Sequence, residues 1–87
     1  MYLNKILVGT SCGEIENSYF LIERQTDNGH VYGVMVTNKN YECCMPGIFE
    51  NRREAEKFID LIMKNNVSPT HLSEIADDYM SSREIGA

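Results

Sequence analysis

Tyr19-Phe20-Leu21-Ile22-Glu23-Arg24-Gln25-Thr26-Asp27-Asn28-Gly29-His30-Val31-Tyr32-Gly33-Val34-Met35-Val36-Thr37 is the stretch on which the fold turns. Two runs rich in aromatic and β-branched residues flank Thr26-Asp27-Asn28-Gly29. Asn-Gly is a strong hairpin signal, because it supplies the positive φ that tight turns need. The stretch therefore predicts two antiparallel strands, near 18–25 and 30–37. Along the first, Phe20 and Ile22 share one face and Tyr19, Leu21 and Glu23 the other. Along the second, Tyr32, Val34 and Val36 line one face, against Val31, Gly33, Met35 and Thr37. Neither strand alternates cleanly between apolar and polar, so the sheet's second face is expected to be partly covered too, self-association being one way.

Working outward, the segment near 3–10 is a third strand, broken by Gly13 and the polar Glu14–Asn17. Asn38-Lys39-Asn40 is a polar turn. A fourth, edge strand over 41–45 is expected to end at Pro46-Gly47. The second half changes period. Ala55, Phe58, Ile59, Ile62 and Met63 form one apolar stripe at helical spacing. Asn51 and Glu54 stand at capping-box spacing ahead of it. A second stripe holds Leu72, Ile75, Ala76, Tyr79 and Met80, with Ser68 as the expected N-cap and Pro69 at the first helical position. Helices are thus expected near 51–65 and 69–82, with a fraying polar tail from Ser81. Strands first and helices second reads as one α+β domain over 1–87: a three- to four-stranded antiparallel sheet with both helices on one face.

Composition narrows the function classes. The chain has 87 residues, 43% of them apolar, and a net charge of −5. That size suits one small domain with little interior to spare for a buried active site. Residues 1–45 carry three basic and five acidic groups, and residues 46–87 carry five and eight. An acidic chain without a basic run repels phosphate backbones, so nonspecific nucleic-acid binding is not expected. No apolar run approaches the roughly 20 residues needed to span a bilayer. No secretory signal opens the sequence, and the three cysteines (Cys12, Cys43 and Cys44) make a poor disulfide framework, so a reducing cytoplasm is expected.

No catalytic, cofactor or metal site is expected. Zinc needs about four thiolate or imidazole ligands, and adjacent Cys43 and Cys44 point to opposite faces of a strand. Cys43 reads as a small core residue, with Cys44 on the other face. A Cys12–His71 nucleophile pair lacks any recognisable elbow or orienting carboxylate. His30 adjoins the hairpin turn, and Gly9, Gly13 and Gly47 form no phosphate loop.

Two surface features remain. Arg52 and Arg53 open the first helix, where positive charge opposes the macrodipole yet could meet an anion or a partner's carboxylate. Neighbouring Glu50, Glu54 and Glu56 compensate them locally. Glu74, Asp77 and Asp78 form an acidic face on the second helix, either solvated or able to dock a basic partner.

Asn66-Val67-Ser68-Pro69-Thr70-His71-Leu72, followed by Glu74-Ile75 and Asp77-Asp78-Tyr79, resembles the C-terminal signature of a family of short uncharacterised proteins from clostridia and related Firmicutes. Tyr32-Gly33-Val34 and the amphipathic segment Glu54–Lys64 match the same family. The resemblance spans Tyr19 to Tyr79 and implies a bacterial or phage source and a small α+β fold. It carries over no functional residue, because the family is a domain of unknown function. The leading expectation is a non-enzymatic interaction or regulatory module that binds a protein or itself. The alternative is a binder of a nucleotide or other small anion, or a phage-encoded inhibitor of a bacterial defence system.

Overall fold

The computed structural model describes residues 3–11 and 13–85. Four strands come first: β1 (Leu3–Ser11), β2 (Asn17–Thr26), β3 (Gly29–Thr37) and β4 (Glu42–Phe49). Two helices follow: α1 (Arg52–Lys64) and α2 (Leu72–Ile85). The sheet is an antiparallel meander in the order β1-β2-β3-β4.

The central hairpin forms where the sequence places it, with Thr26 opposite Gly29. Its loop differs in detail. Asn66 is the one non-glycine residue with positive φ among those described, so Asn28 does not supply that conformation; Gly29 does, at φ 131°. Thr26 Oγ1 donates to the Gly29 carbonyl across the turn, at 3.1 Å.

β4 runs past Pro46-Gly47, which correct the expected end of that strand. Val34 pairs with Met45 and Tyr32 with Phe49, so Gly33 alone faces the three residues 46–48. This is a bulge, and on an edge strand it accommodates a residue that cannot donate a ladder hydrogen bond. Gly47 adopts φ 75° there. A Cβ on Gly33 would lie 2.2 Å from the Met45 carbonyl oxygen and 2.6 Å from Pro46 Cα, so the bulge crosses directly over Gly33. A second bulge, at Val8, lies between the Leu7–Phe20 and Gly9–Tyr19 pairs of β1 and β2.

The helices cover one sheet face. Tyr19, Leu21, Val34, Val36 and Phe49 pack there against Ala55, Phe58, Ile59 and Ile62 of α1 and Leu72 and Ala76 of α2. Tyr79 anchors α2 with its ring 5.0 Å from Phe58 and 6.1 Å from Phe49. Each such ring pair adds about 0.5–1.5 kcal/mol beyond burial. The shortest molecular extent, 17 Å, is that of one sheet and one helical layer.

α1 begins as its sequence predicts, with Asn51 Oδ1 accepting from the Arg53 N–H at 2.8 Å. It ends in a Schellman motif: Val67 N–H donates to Ile62 O and Asn66 N–H to Met63 O. The left-handed residue is Asn66, at φ 52°, where glycine is commoner. Its side chain explains the choice. Asn66 Oδ1 accepts from Ser11 Oγ on β1 and from Asn17 Nδ2 on β2. Asn17, 3% exposed, accepts in turn from Asn38 Nδ2, and Tyr19 Oη donates to the Val67 carbonyl at 2.8 Å. One polar chain thus ties the β1–β2 end and the β3–β4 turn to the helical connection.

α2 starts three residues later than expected. Residues 68–71 form a tight turn, with His71 N–H bonded to Ser68 O, and the first α-helical bond joins Ile75 N–H to His71 O. Pro69 therefore shapes the turn before the helix. At the other end α2 runs on through Ile85 rather than stopping near 82, since no Gly or Pro interrupts Ser81–Ile85.

Candidate interaction surface

Register assigns the residues of the sheet's other face, which no helix covers. Cross-strand partners share a face, giving four rows. The first is Leu3, Arg24, Val31; the second is Lys5, Ile22, Gly33, with the β4 bulge above Gly33. The third is Leu7, Phe20, Met35, Cys44; the fourth is Thr10, Ser18, Thr37, Glu42.

The first three rows are largely apolar. Leu3 and Leu7 stand 61% and 57% exposed, while Ile22 and Met35 are only 1% and 8% exposed. The bulge helps to shield Ile22, whose neighbour Gly33 it covers. Lys5 extends across the surface, with Nζ 5.1 Å from the centroid of Phe20. That cation–π contact lets a charged residue lie over an apolar one. Arg24 lies across its row with Nε buried and without a hydrogen-bond partner. The strand residues of this face carry three charges: Lys5 and Arg24 toward one end, Glu42 at the far corner.

The expected apolar character of the second face is thus present. Sequence reading located it on the two central strands and did not single out Leu3, Lys5 or Leu7. Their i, i+2 spacing was the available signal, and they pair in unbroken register with Arg24, Ile22 and Phe20; the bulge at Val8, invisible in sequence, comes after them and brings Thr10 onto the same face. Cys43 and Cys44 fall on opposite faces as expected: Cys43 packs against the core and Cys44 is exposed. Partial burial, then the neighbouring Cys43 and Glu42, push the Cys44 thiol pKa up, with Lys5 opposing. A group so shifted is a poor nucleophile at neutral pH.

The other sequence candidates lie elsewhere. Arg52 pairs with Glu56 at 3.4 Å across one helical turn, both half exposed. Arg53 is exposed, and the adjoining open cleft of about 470 Å³ is lined by Ile48, Glu50, Asn51, Glu54 and Met80. An anion in that cleft would meet two carboxylates. Glu74, Asp77 and Asp78 are exposed on α2, away from Leu72 and Ala76 and remote from the open sheet face. His71 Nδ1 lies 2.9 Å from Ser68 Oγ in the turn before α2, and His30 stacks on Tyr32. Cys12, and with it the Cys12–His71 pairing, lies outside the described residues. Among the described residues no group of three or more His, Cys, Asp or Glu is placed to hold a metal ion, and no helix is long and apolar enough to cross a membrane.

The residues carrying the family resemblance do structural work. Tyr32-Gly33-Val34 is where the bulge crosses, and Asn66-Val67 is the Schellman turn bonded to Ser11, Asn17 and Tyr19. Comparison with curated proteins and with solved structures gave no significant match. A family model described as "Family of unknown function (DUF6514)" matches residues 3–82, and the chain belongs to that family.

Proposed function

We propose that this protein is a non-enzymatic interaction module that docks a protein surface on the open face of its sheet. One observation carries the reading: on the sheet face that no helix covers, Leu3 and Leu7 stand exposed along β1, beside the partly buried Phe20. A sheet with one face packed normally turns polar residues outward on the other, and a contiguous apolar face marks an interaction site. The acidic balance of the chain supports a protein partner over nucleic acid. Its cysteine usage supports a reducing cytoplasm as the place of work.

Site-specific photo-crosslinking tests the reading. A photoreactive side chain at Leu7 probes the open face, and one at Asp78 probes the outer face of α2. Protein adducts from Leu7 and none from Asp78 are expected. Adducts from Asp78 alone, or none from either, would refute the open face as the docking surface.

A further inference from the structure

The two edges of the sheet differ. β4 closes its own: Pro46 lacks an N–H, and the bulge over 46–48 interrupts the ladder. β1, the other edge, runs from Leu3 to Leu7 in unbroken register with β2 before the bulge at Val8, about 17 Å of strand. Alternate backbone N–H and C=O groups of that run point away from β2. Among the described residues no backbone hydrogen bond reaches β1 from any other element. Such an edge is a template for one more strand. On the open face of the run, exposed Leu3 and Leu7 flank the exposed Lys5; on the helix-covered face Ile6 packs partly against the core.

We infer that β1 takes up an extended segment of a partner protein as an added strand, and that this segment carries an acidic residue between two apolar ones, in the order apolar-x-acidic-x-apolar. The inference rests on the docking role proposed above and adds how the partner is held and by what chemistry. Residues opposite one another on neighbouring strands share a face. A segment paired with Leu3–Leu7 therefore sets three of its side chains beside Leu3, Lys5 and Leu7, whichever way it runs. Apolar side chains beside the two leucines extend the open face, and a carboxylate beside Lys5 neutralises it. Main-chain hydrogen bonds to the free edge supply affinity and the alternate side chains supply selectivity.

Charge selects the acidic residue. Among the described residues no carboxylate pairs with Lys5, whose Nζ rests over the Phe20 ring instead. The acidic side chains around it lie elsewhere: Glu23 stands opposite Asn4 on the helix-covered face, and Asp27 lines the cleft beside Arg24 at the hairpin end. Arg24, paired with Leu3, is a second cation next to this edge. The run thus presents positive charge on a chain of net charge −5, which draws an acidic segment and turns away a basic one. Lys5 also works against a second copy, because two β1 strands paired antiparallel about Lys5 would set like charges face to face.

Peptide titration of the isotope-labelled full chain, read by amide NMR, tests the inference. The probe is the capped peptide Thr-Val-Thr-Glu-Thr-Val-Thr, whose order is the same in both directions. It is expected to bind with a Kd on the order of 1 mM and to shift the amides of Leu3–Leu7, leaving those of Glu42–Cys44 on β4 in place. Replacing its Glu with Lys should weaken binding about fivefold, and Lys5→Glu should reverse that preference. Thermal melts establish that Lys5→Glu is folded. N-methylation of alternate peptide nitrogens keeps every side chain and removes the donors along one edge of the peptide, so one of the two alternate sets should abolish binding. No binding of the Glu peptide at roughly 5 mM would overturn the inference. So would shifts on β4 in place of β1, equal binding of the Glu and Lys peptides, or undiminished binding by both N-methylated sets. A chain that fails these tests while Leu7 still crosslinks to another protein would lose the added strand and keep the docking role.

Discussion

Replacing Gly33 with alanine tests how the sheet is closed on its open side. The added Cβ would lie 2.2 Å from the Met45 carbonyl oxygen, 2.6 Å from Pro46 Cα and 2.8 Å from the Gly47 nitrogen. All three atoms are backbone, so no side-chain rotation relieves the clash and the β4 bulge must lift. Overpacking of this kind costs about 1–3 kcal/mol. The upper part of that range applies here, because the lifted segment leads to Phe49, which is 2% exposed and packed on Phe58 and Tyr79. Alanine restricts the unfolded chain and returns about 0.4–1 kcal/mol. The net expectation is a loss of about 2 kcal/mol, or a fall in Tm of roughly 8–16 °C for a domain of this size. Urea and thermal unfolding followed by circular dichroism measure it. Gly9→Ala is the control. Its Cβ would meet only the thioether of Met63, with Sδ at 2.9 Å, and that flexible side chain can swing away. Its expected cost is below about 0.5 kcal/mol. If Gly33→Ala is no less stable than Gly9→Ala, the bulge does not cross over Gly33 and the account of the Tyr32-Gly33-Val34 motif fails.

Three further outcomes are expected. Asn17→Ala removes the middle of the asparagine chain, leaving Asn38 Nδ2 without its acceptor and Asn66 Oδ1 with one donor fewer; urea titration should show a loss of about 2 kcal/mol. Arg52→Ala should change stability by less than about 0.5 kcal/mol in the same titration, because its pairing with Glu56 is solvent-exposed. Cys44 should be alkylated by iodoacetamide with a pH midpoint above that of glutathione, since burial, Cys43 and Glu42 all disfavour the thiolate. Lys5→Glu should raise that midpoint further, because Lys5 is the one contributor that lowers it.

Features written in local pattern were legible before the structure. The central hairpin follows from two β-rich runs around a turn signal, and α1 follows from a five-residue stripe behind a capping asparagine. Features that depend on what a segment meets in space were not. Pro46-Gly47 reads as a strand end, because the pair breaks regular pairing. In the structure an edge position and the absent Cβ of Gly33 let the strand pass through it as a bulge. Ser68-Pro69 reads as a helix start, yet the turn at 68–71 comes first and the helix begins at Leu72. Asn17, Asn38 and Asn66 read as loop residues, separated in sequence by tens of positions. Only the fold brings them into one hydrogen-bonded chain. The surface carrying the functional proposal was half visible. Phe20, Ile22 and Met35 betray an apolar second face, whereas the addition of Leu3 and Leu7 to it needs the register of β1 against β2.

The most direct test of the open face as the working surface is photo-crosslinking scanned across the molecule, with a photoreactive side chain placed in turn at Leu3, Leu7 and Cys44 on that face and at Glu74, Asp77 and Asp78 on α2. Protein adducts are predicted from the three sheet positions and none from α2. Adducts from the α2 positions alone, or from none of the six, would contradict the account.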